Sequence, residues 1–290
     1  MSPRIALATC SELPDLDPDD QPLIGHFAQA GVEATPVIWS DPNVDWNSFD
    51  LVIIRNTWDY TDHLPRFLSW VQSLDSRVRN SADIISWSTN KTYLNDLRGA
   101  GIPVIDTQFI SHSNDTWVVP PAVDFVVKPS ISAGSRDTLR LSSSDTSSVS
   151  AAQNLIDLII AAGKSAMIQP YLDQVDSDGE TALLYIGGQY SHAIRKGPLL
   201  QKDAEVERVH GLYLQEDITP RSPRPDQREL ADRVVTYVSE KFDAPLYARI
   251  DLIDNHVGEP TVLEVEGVEP SMFFGTEPTS YQRFVQVSLS

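Results

Sequence analysis

The chain has 290 residues and a formal net charge of −19. Such a charge repels nucleic acid phosphates, so we expect no nucleic-acid partner, and any anionic ligand needs a local cationic pocket. Because no apolar run reaches about 18 residues and the first residues lack a signal-peptide pattern, we expect neither a membrane span nor a leader. The single cysteine, Cys10, excludes an internal disulfide and fits a cytoplasmic protein.

The first part of the chain alternates between apolar runs and amphipathic segments. This alternation is typical of a parallel sheet with helices on both of its faces. We therefore predict a small α/β unit over residues 1–88, whose ligands lie beyond the carboxyl ends of its strands, near residues 9–12 and 55–60. The strands are predicted at 4–9, 35–39 and 50–55, and the helices at 21–30 and 63–74.

Residues 89–168 carry shorter elements around a polar loop. Lys128 ends an apolar strand and precedes a loop rich in serine and glycine, a poor environment for a lysine that is merely solvated, so it favours a functional role. Lys91 lies on a predicted helix, where a solvated lysine is the ordinary explanation unless other motifs support a site. The strands are predicted at 104–106, 124–128, 138–141 and 166–169, the helices at 89–98 and 151–162, and the polar loop at 130–137.

A hairpin opens the last part of the chain, residues 169–290, before a helix predicted at 226–242. Gly187 and Gly188 form a two-residue turn signal between two alternating strands. A turn centred on them predicts that Glu180 faces Arg195 across the ladder. Arg195 can therefore be a simple cross-strand partner of Glu180, a functional residue, or both.

A second hairpin, predicted at 246–253 and 260–265, brings carboxylates together. Its turn places Asp251 opposite Glu264, and Glu266 lies two residues further on the same face. Like charges on one patch of a sheet are costly unless a cation binds, and Mg²⁺ prefers such oxygen ligands. The alternative is an acidic face that meets water, and the hairpin alone leaves the two explanations equally open.

The order and spacing of several short motifs resemble the ATP-grasp superfamily, and within it the glutathione synthetase-like ligases. The resemblance covers essentially the whole chain. Residues 56–60 (NTWDY) together with 266–271 (EGVEPS) are similar to the branch that contains the D-cycloserine-forming cyclo-ligases. One departure is Glu266, where the family pattern has an asparagine. The other motifs are Asn90-Lys91, 127–129 with 132–135, 169–172, Gly179-Glu180, 194–196, 249–251 and 263–266.

The resemblance implies an ATP site with magnesium. Arg195 is expected to neutralise the acyl phosphate and the tetrahedral intermediate. Two Mg²⁺ ions, with Mn²⁺ as a substitute, are expected on Asp251, Glu264 and Glu266. The implied nucleotide contacts are Lys91 and Lys128 to the phosphates, Ser132, Gly134 and Ser135 in a lid loop, Gln169, Tyr171 and Leu172 at the hinge and adenine, and Glu180 to the ribose.

The acceptor site is expected at the strand ends of the first unit. Arg55 is placed to hold a substrate carboxylate and Asp59 a substrate amino group, which indicates an amino acid or a close analogue. Trp58 and Tyr60 are expected to wall a small pocket near Ser271. The structural alternative is that Arg55 and Asp59 pair with each other.

The implied fold is α/β, with an α+β arrangement in the C-terminal half: a parallel-sheet substrate unit (1–88), an ATP-grasp lid (89–168) and an ATP-grasp core (169–290). The implied activity is ATP-dependent carboxylate–amine ligation, through an acyl phosphate to an amide or cyclic amide, on a small amino-acid-like substrate. An ATP-grasp small-molecule kinase and a non-catalytic nucleotide-binding protein remain as alternatives. A homodimer is left open.

Overall fold

The computed structural model describes residues 3–121, 123–132, 134, 136–198, 208–209, 213–214 and 217–290. None of the described helices is both long and apolar enough to cross a membrane. The helices are α1 (Pro22–Gln29), α2 (Leu64–Ser73), α3 (Ala82–Ser88), α4 (Tyr93–Gly99), α5 (Thr146–Ala161), α6 (Gln174–Ser177), α7 (Pro225–Lys241) and α8 (Thr279–Ser288).

Fifteen strands are described, and they form four sheets. They are β1 (Arg4–Thr9), β2 (Glu33–Ile38), β3 (Leu51–Asn56), β4 (Val78–Arg79), β5 (Gln108–Ile110), β6 (Asp124–Pro129), β7 (Leu139–Ser142), β8 (Ala166–Pro170), β9 (Glu180–Ile186), β10 (Gln189–Lys196), β11 (Arg208–Val209), β12 (Tyr213–Leu214), β13 (Ile218–Pro220), β14 (Tyr247–Asp254) and β15 (Pro260–Glu266).

The first sheet is parallel, with the order β2-β1-β3-β4, as the alternating pattern predicts. Its central strands are buried on both faces, because helices and the core of the chain cover them. The carboxyl ends of β1 and β3 lie side by side, where the amide of Cys10 donates to the carbonyl of Asn56 at 3.1 Å. Residues 57–62 leave the sheet at this edge.

The second sheet is antiparallel, with the order β5-β8-β6-β7, and α5 packs against it. The third has the order β13-β10-β9-β14-β15, also antiparallel. Alternate residues of β9 face two different cores: Leu184 and Ile186 pack with α1 and α8, whereas Leu183 and Tyr185 pack with α4 and α7. Because of this alternation, only every second side chain of a strand in the third sheet points to the same face.

Several predicted elements differ from the observed ones around residues 80–110. The predicted helix 89–98 forms only from Tyr93 onward, as α4, because residues 89–92 are a turn that follows α3, and Lys91 lies in this turn. The side chain of Ser81 caps α3 by accepting from the amide of Ile84, and the side chain of Asn90 accepts from the amide of Thr92. The predicted strand 104–106 is reduced to a single bridge between Val104 and Val262, and the nearest strand, β5, begins only at Gln108.

The hairpin of β9 and β10 corrects the predicted register. Pairing begins as expected, with Gln189 opposite Ile186. A bulge between Tyr190 and His192 then inserts one residue into β10, so Lys196 rather than Arg195 faces Glu180. Because the bulge adds one residue, each later side chain of β10 points to the face opposite to the one predicted. The second hairpin keeps the predicted pairing, with Asp251 opposite Glu264.

Candidate active site

A cluster of charged side chains lies on the face of the third sheet that turns away from α7. Lys196 is its centre: its Nζ lies 3.0 Å from Asp251 Oδ2 and 3.3 Å from Glu180 Oε2. Lys196 and Asp251 are both buried. Burial alone would raise the pKa of Asp251, but the charges of Arg249 and Lys196 outweigh it and lower the pKa to about 2.

Two further lysines approach this cluster from the second unit. Lys91 Nζ lies 2.9 Å from Glu264 Oε1 and donates to the carbonyl of Ser132 at 2.8 Å. Burial lowers the pKa of Lys128, which lies in the fields of Glu264, Lys91 and Lys196. Lys128 makes no ion pair with any described side chain. An ammonium that has no ion-pair partner among the described side chains is a natural contact for an anionic ligand.

Arg249 organises the other end of the cluster. Its guanidinium is buried and binds both oxygens of Asp251, with Nε at 2.8 Å from Oδ1 and Nη2 at 3.0 Å from Oδ2. The same side chain contacts Glu266 and donates to the carbonyl of Ser271 at 3.3 Å. The carboxylates of the second hairpin are thus each held by a cation.

The carboxylates of β15 have opposite electrostatic environments. Burial would raise the pKa of Glu264, but Lys91 and Lys128 outweigh it and hold that pKa below its usual value. Burial raises the pKa of Glu266 to about 7, and Arg249 only partly opposes this because it is shared with Asp251. Within the described residues, no three acidic, histidine or cysteine side chains form a ready-made metal cluster. The donor set nevertheless suits a hard cation, which would relieve the repulsion that raises the pKa of Glu266.

Arg195 lies outside this cluster, which corrects the expectation of a catalytic role. After the bulge it points to the same side of the sheet as α7, opposite to Lys196. Its Nε donates to the carbonyl of Asp178 at 2.8 Å, and its Nη1 pairs with Asp217 at 3.1 Å. The cations that face Asp251 are Lys196 and Arg249.

The residues expected at the hinge lie where β8 ends. Gln169 is buried and donates to Thr107 Oγ1 at 2.9 Å. Tyr171 lies under the guanidinium of Arg140, whose Cζ is 3.5 Å from the ring centre, and its amide donates to the carbonyl of Asp124. The carbonyl of Leu172 accepts from Val175, whereas its amide has no partner among the described residues.

The polar loop that joins β6 to β7 is tied to Lys91 at its start. The amide of Lys91 donates to the carbonyl of Ser130 at 2.8 Å, and its Nζ donates to that of Ser132. Gly134 adopts a φ of 59°, in the left-handed region that glycine tolerates. Ser135, expected in the same loop, lies outside the described residues. This loop therefore borders the lysine and carboxylate cluster.

Arg55 has a structural environment, which corrects the expectation that it binds a substrate carboxylate. Its side chain has no exposed surface, and Nε and Nη2 bind Asp20 at 3.2 and 3.1 Å. Nη2 also donates to the carbonyl of Pro270 at 2.9 Å. The structural alternative named Asp59 as the partner, and this is wrong as well, because Asp20 from the acidic N-terminal stretch occupies that place.

The other residues expected at the acceptor site follow the ends of β3 and β15 along the chain. Trp58 Nε1 donates to the carbonyl of Glu269 at 3.0 Å, which joins the first unit to the segment after β15. Asp59 accepts from Trp39 Nε1 at 2.7 Å, and burial raises its pKa. Tyr60 is buried against Phe67, with ring centres 4.9 Å apart. Ser271 is present at the same place through its carbonyl, which accepts from Arg249.

Two functional candidates escaped the sequence reasoning, and a third, Glu269, was expected only to lie near the acceptor site. Arg249 had a signal, because it lies two residues before Asp251 and so on the same face of β14. Lys196 could not be chosen without the bulge. Glu269 follows the second hairpin, and burial together with Glu266 raises its pKa well above the usual range. It makes no ion pair with a described residue.

Comparisons with known proteins decide the family. Residues 5–80 match the family model of the N-terminal domain of D-cycloserine synthetase DcsG. The cycloserine biosynthesis protein DcsG of Streptomyces lavendulae is 31% identical over an alignment 295 positions long that covers 97% of this chain and 96% of that protein. The chain belongs to the D-cycloserine synthetase family. It is an ATP-dependent ligase, which decides against the kinase and the non-catalytic alternative.

Solved structures agree with this assignment. The crystal structure of D-cycloserine synthetase DcsG superposes with a TM-score of 0.88 at 29% identity, covering 98% of both chains. A D-alanine–D-alanine ligase from Bacillus anthracis shares the fold, with a TM-score of 0.66, 13% identity and coverage of 99% of this chain and 96% of that one. The predicted ATP-grasp fold is therefore confirmed in this member of the D-cycloserine synthetase family, and its substrates are small molecules.

Proposed function

We propose that the protein closes a ring within one small amino-acid-like molecule, joining its own carboxylate to its own nitrogen at the expense of ATP. The observation that carries this proposal is the similarity to D-cycloserine synthetase, which includes the N-terminal unit where the acceptor site is expected. Trp58 and Tyr60 would wall the acceptor pocket, which favours a small substrate.

The chain's own residues suggest how the site handles charge. Lys91, Lys128 and Lys196 would bind the phosphates of ATP, since all three lie in one cluster inside a strongly anionic chain. The amide and the carbonyl of Leu172 would pair with the adenine edge, beside Tyr171 and Gln169, and Glu180 would accept from the ribose. The loop residues Ser132, Gly134 and Ser135 would cover the phosphates.

Asp251, Glu264 and Glu266 would hold two Mg²⁺ ions, or Mn²⁺ in their place. When bound, these ions would neutralise charge on the phosphate oxygens during formation of an acyl phosphate. Arg249 takes the role first expected of Arg195, because its guanidinium faces the carboxylates and the carbonyl of Ser271. There it would stabilise negative charge that develops on the oxygen of the reacting carboxyl group.

The acceptor side is formed by the segment that links the first unit to residues 269–271. Asp59 keeps its expected role as the contact for a substrate amino group, and Glu269 is a second carboxylate available for it. The division into units at residues 88 and 168 and a cytoplasmic location are part of the proposal, and a homodimer stays open. No nucleic-acid partner is proposed, because the net charge opposes one.

A labelling experiment tests the ring closure. The protein is incubated with ATP, Mg²⁺ and candidate linear amino acids, each supplied as an equal mixture of unlabelled and fully labelled molecules. We expect release of ADP and phosphate that depends on the amino acid, with a product whose atoms all come from one substrate molecule. A mixed-label product would show joining of two molecules, and a phosphorylated product without an amide would show a kinase.

A further inference from the structure

The polar loop between β6 and β7 is the tip of a hairpin. The ladder of β6 and β7 closes with Val127 opposite Leu139, and the polar loop begins after β6 ends at Pro129. Lys91 holds the start of this tip through the carbonyls of Ser130 and Ser132. Lys91 also contacts Glu264, so one side of the tip is fixed to the charged cluster.

The other side of the tip is attached to a different unit. Arg136 Nη1 lies 2.6 Å from Asp62 Oδ1 and 2.5 Å from Asp62 Oδ2, although 74 residues separate the two along the chain. Asp62 ends the 3-10 turn Tyr60–Asp62, which directly continues the predicted substrate wall. The amide of Asp62 donates to the carbonyl of Asp59 at 3.1 Å, so its position follows that of the acceptor segment.

The ion pair between Arg136 and Asp62 is not expected to contribute much to the stability of the fold. The side chains of Arg136 and Asp62 are 33% and 51% exposed, and exposed pairs contribute little to folding. The pair does, however, join the loop that borders the phosphate-binding lysines to the segment that borders the acceptor. A contact of this kind costs little to break and can be remade in each catalytic cycle.

We propose that Arg136 and Asp62 form a clasp that couples closure of the phosphate-covering loop to the acceptor segment. The proposal rests on the proposed function. Both residues are positioning residues, because they act through the loop and the turn that carry them. With the clasp closed, the carboxyl carbon of the acyl phosphate is shielded. With the clasp open, water attacks that carbon, its carbon–oxygen bond to phosphate breaks, and the free carboxylate and phosphate are released without an amide.

The first experiment measures the clasp without any amino acid. Hydrogen exchange is followed in peptides covering 57–63 and 130–137, with and without ADP and Mg²⁺. The variants are Asp62→Asn and Arg136→Gln, and the matched control is Lys241→Gln, which breaks the 2.7 Å pair with Asp96 at similar exposures of 36% and 43%. We expect nucleotide to slow exchange in both peptides, and each clasp variant to reduce this protection by about two- to five-fold.

The second experiment measures coupling. The ratio of ADP released to amide formed should be near one in the natural protein and in Lys241→Gln, and should rise in both clasp variants while the KM for ATP changes little. The charge-exchanged protein, Asp62→Arg with Arg136→Asp, should recover protection and coupling. Clasp variants that behave like Lys241→Gln, or an exchanged pair that recovers nothing, would overturn the proposal. A natural protein that forms no amide counts instead against the proposed function, since the exchange experiment needs only nucleotide.

Discussion

Lys196 is the side chain that two carboxylates of the site share. Its ammonium bridges Glu180 and Asp251 while its side chain stays 9% exposed. An ammonium group held in this way can bind a ligand, because a phosphate can replace the carboxylates as its hydrogen-bond acceptor. Its sequence neighbour Arg195 lies on the opposite face of β10 and pairs with Asp217.

Lys196 and Arg195 are adjacent in sequence, so substitutions at the two positions test which of them takes part in binding ATP. Lys196→Gln removes a charged hydrogen bond and should lower kcat/KM for ATP by about two orders of magnitude, equivalent to about 2 to 3 kcal/mol. Arg195→Gln should lower it far less, because that guanidinium faces α7. ADP release under steady-state conditions measures both. A larger loss in Arg195→Gln would return the catalytic role to Arg195.

Arg55 belongs to the interior rather than to the acceptor site. Its guanidinium lies among the rings of Tyr247, Phe274 and Phe284, with Cζ 5.1 to 5.9 Å from their centres, and it pairs with Asp20. A buried pair is often a poor source of stability compared with apolar residues, but removal of one partner leaves the other charge unpaired.

Arg55→Met should therefore destabilise the protein by about 3 to 5 kcal/mol. Asp20→Asn combined with Arg55→Met should recover part of that loss, since no unpaired charge remains. Unfolding in urea measures both effects, and the KM values for ATP and the amino acid should barely change at temperatures where the variants stay folded. Unchanged stability with a raised KM for the amino acid would instead support a substrate role.

At the scale of elements, the bulge in β10 determines more than the position of Lys196. It also places His192 in the interior, where its Nε2 lies 2.9 Å from the carbonyl of Met272 and its Nδ1 lies 2.9 Å from Ser191 Oγ. The strand is thereby linked to the segment that carries Ser271. Burial lowers the pKa of His192 below 6.5, although the Met272 carbonyl and the charge of Glu277 oppose this.

The lowered pKa of His192 predicts how the stability of the fold changes with pH. The unfolded chain binds a proton at His192 more readily than the folded one, so the neutral imidazole stabilises the fold above about pH 6.5 and this contribution is lost as the pH falls further. Thermal unfolding from pH 7.5 to pH 5 should show a steeper fall in Tm for the natural protein than for His192→Gln, whose amide can still donate to Met272. Parallel curves would contradict this role for His192.

At the scale of the whole molecule, Asn80 joins the first unit to the third sheet. Its Nδ2 donates to the carbonyls of Tyr247 and Gly267, both at 2.8 Å, and its Oδ1 accepts from the amide of Tyr247 at 3.3 Å. Asp19 adds a second link by accepting from the amides of Phe274 and Gly275, both at 2.8 Å. The acceptor segment and the charged cluster keep their relative position through such contacts.

Asn80→Ala should lower the free energy of unfolding by about 2 to 3 kcal/mol, because two buried carbonyls lose their donor. Asn43→Ala is the matched control, since Asn43 is exposed and bonds only to Asp41 among the described residues. Chemical unfolding followed by tryptophan fluorescence measures both. Equal stability of the two variants would show that the link through Asn80 is not important.

The sequence by itself determined the features that depend on neighbours in the chain. The alternation of strands and helices predicted the parallel first sheet, and the spacing across the second hairpin predicted that Asp251 faces Glu264. The order of short motifs predicted the ATP-grasp fold and the ligase family. These features could be predicted because turn position and side-chain periodicity are local properties.

Only the tertiary structure decided which side chains meet in the site. One extra residue in β10 brings Lys196 rather than Arg195 opposite Glu180. A pairing predicted by counting residues from the turn assumes strict twofold alternation, so it does not detect this shift. The burial of Arg55 depends on Asp20 and on rings that lie about 200 residues away along the chain. Whether a charged side chain faces a ligand or the interior is set by the segments that cover it, and those segments are distant in sequence.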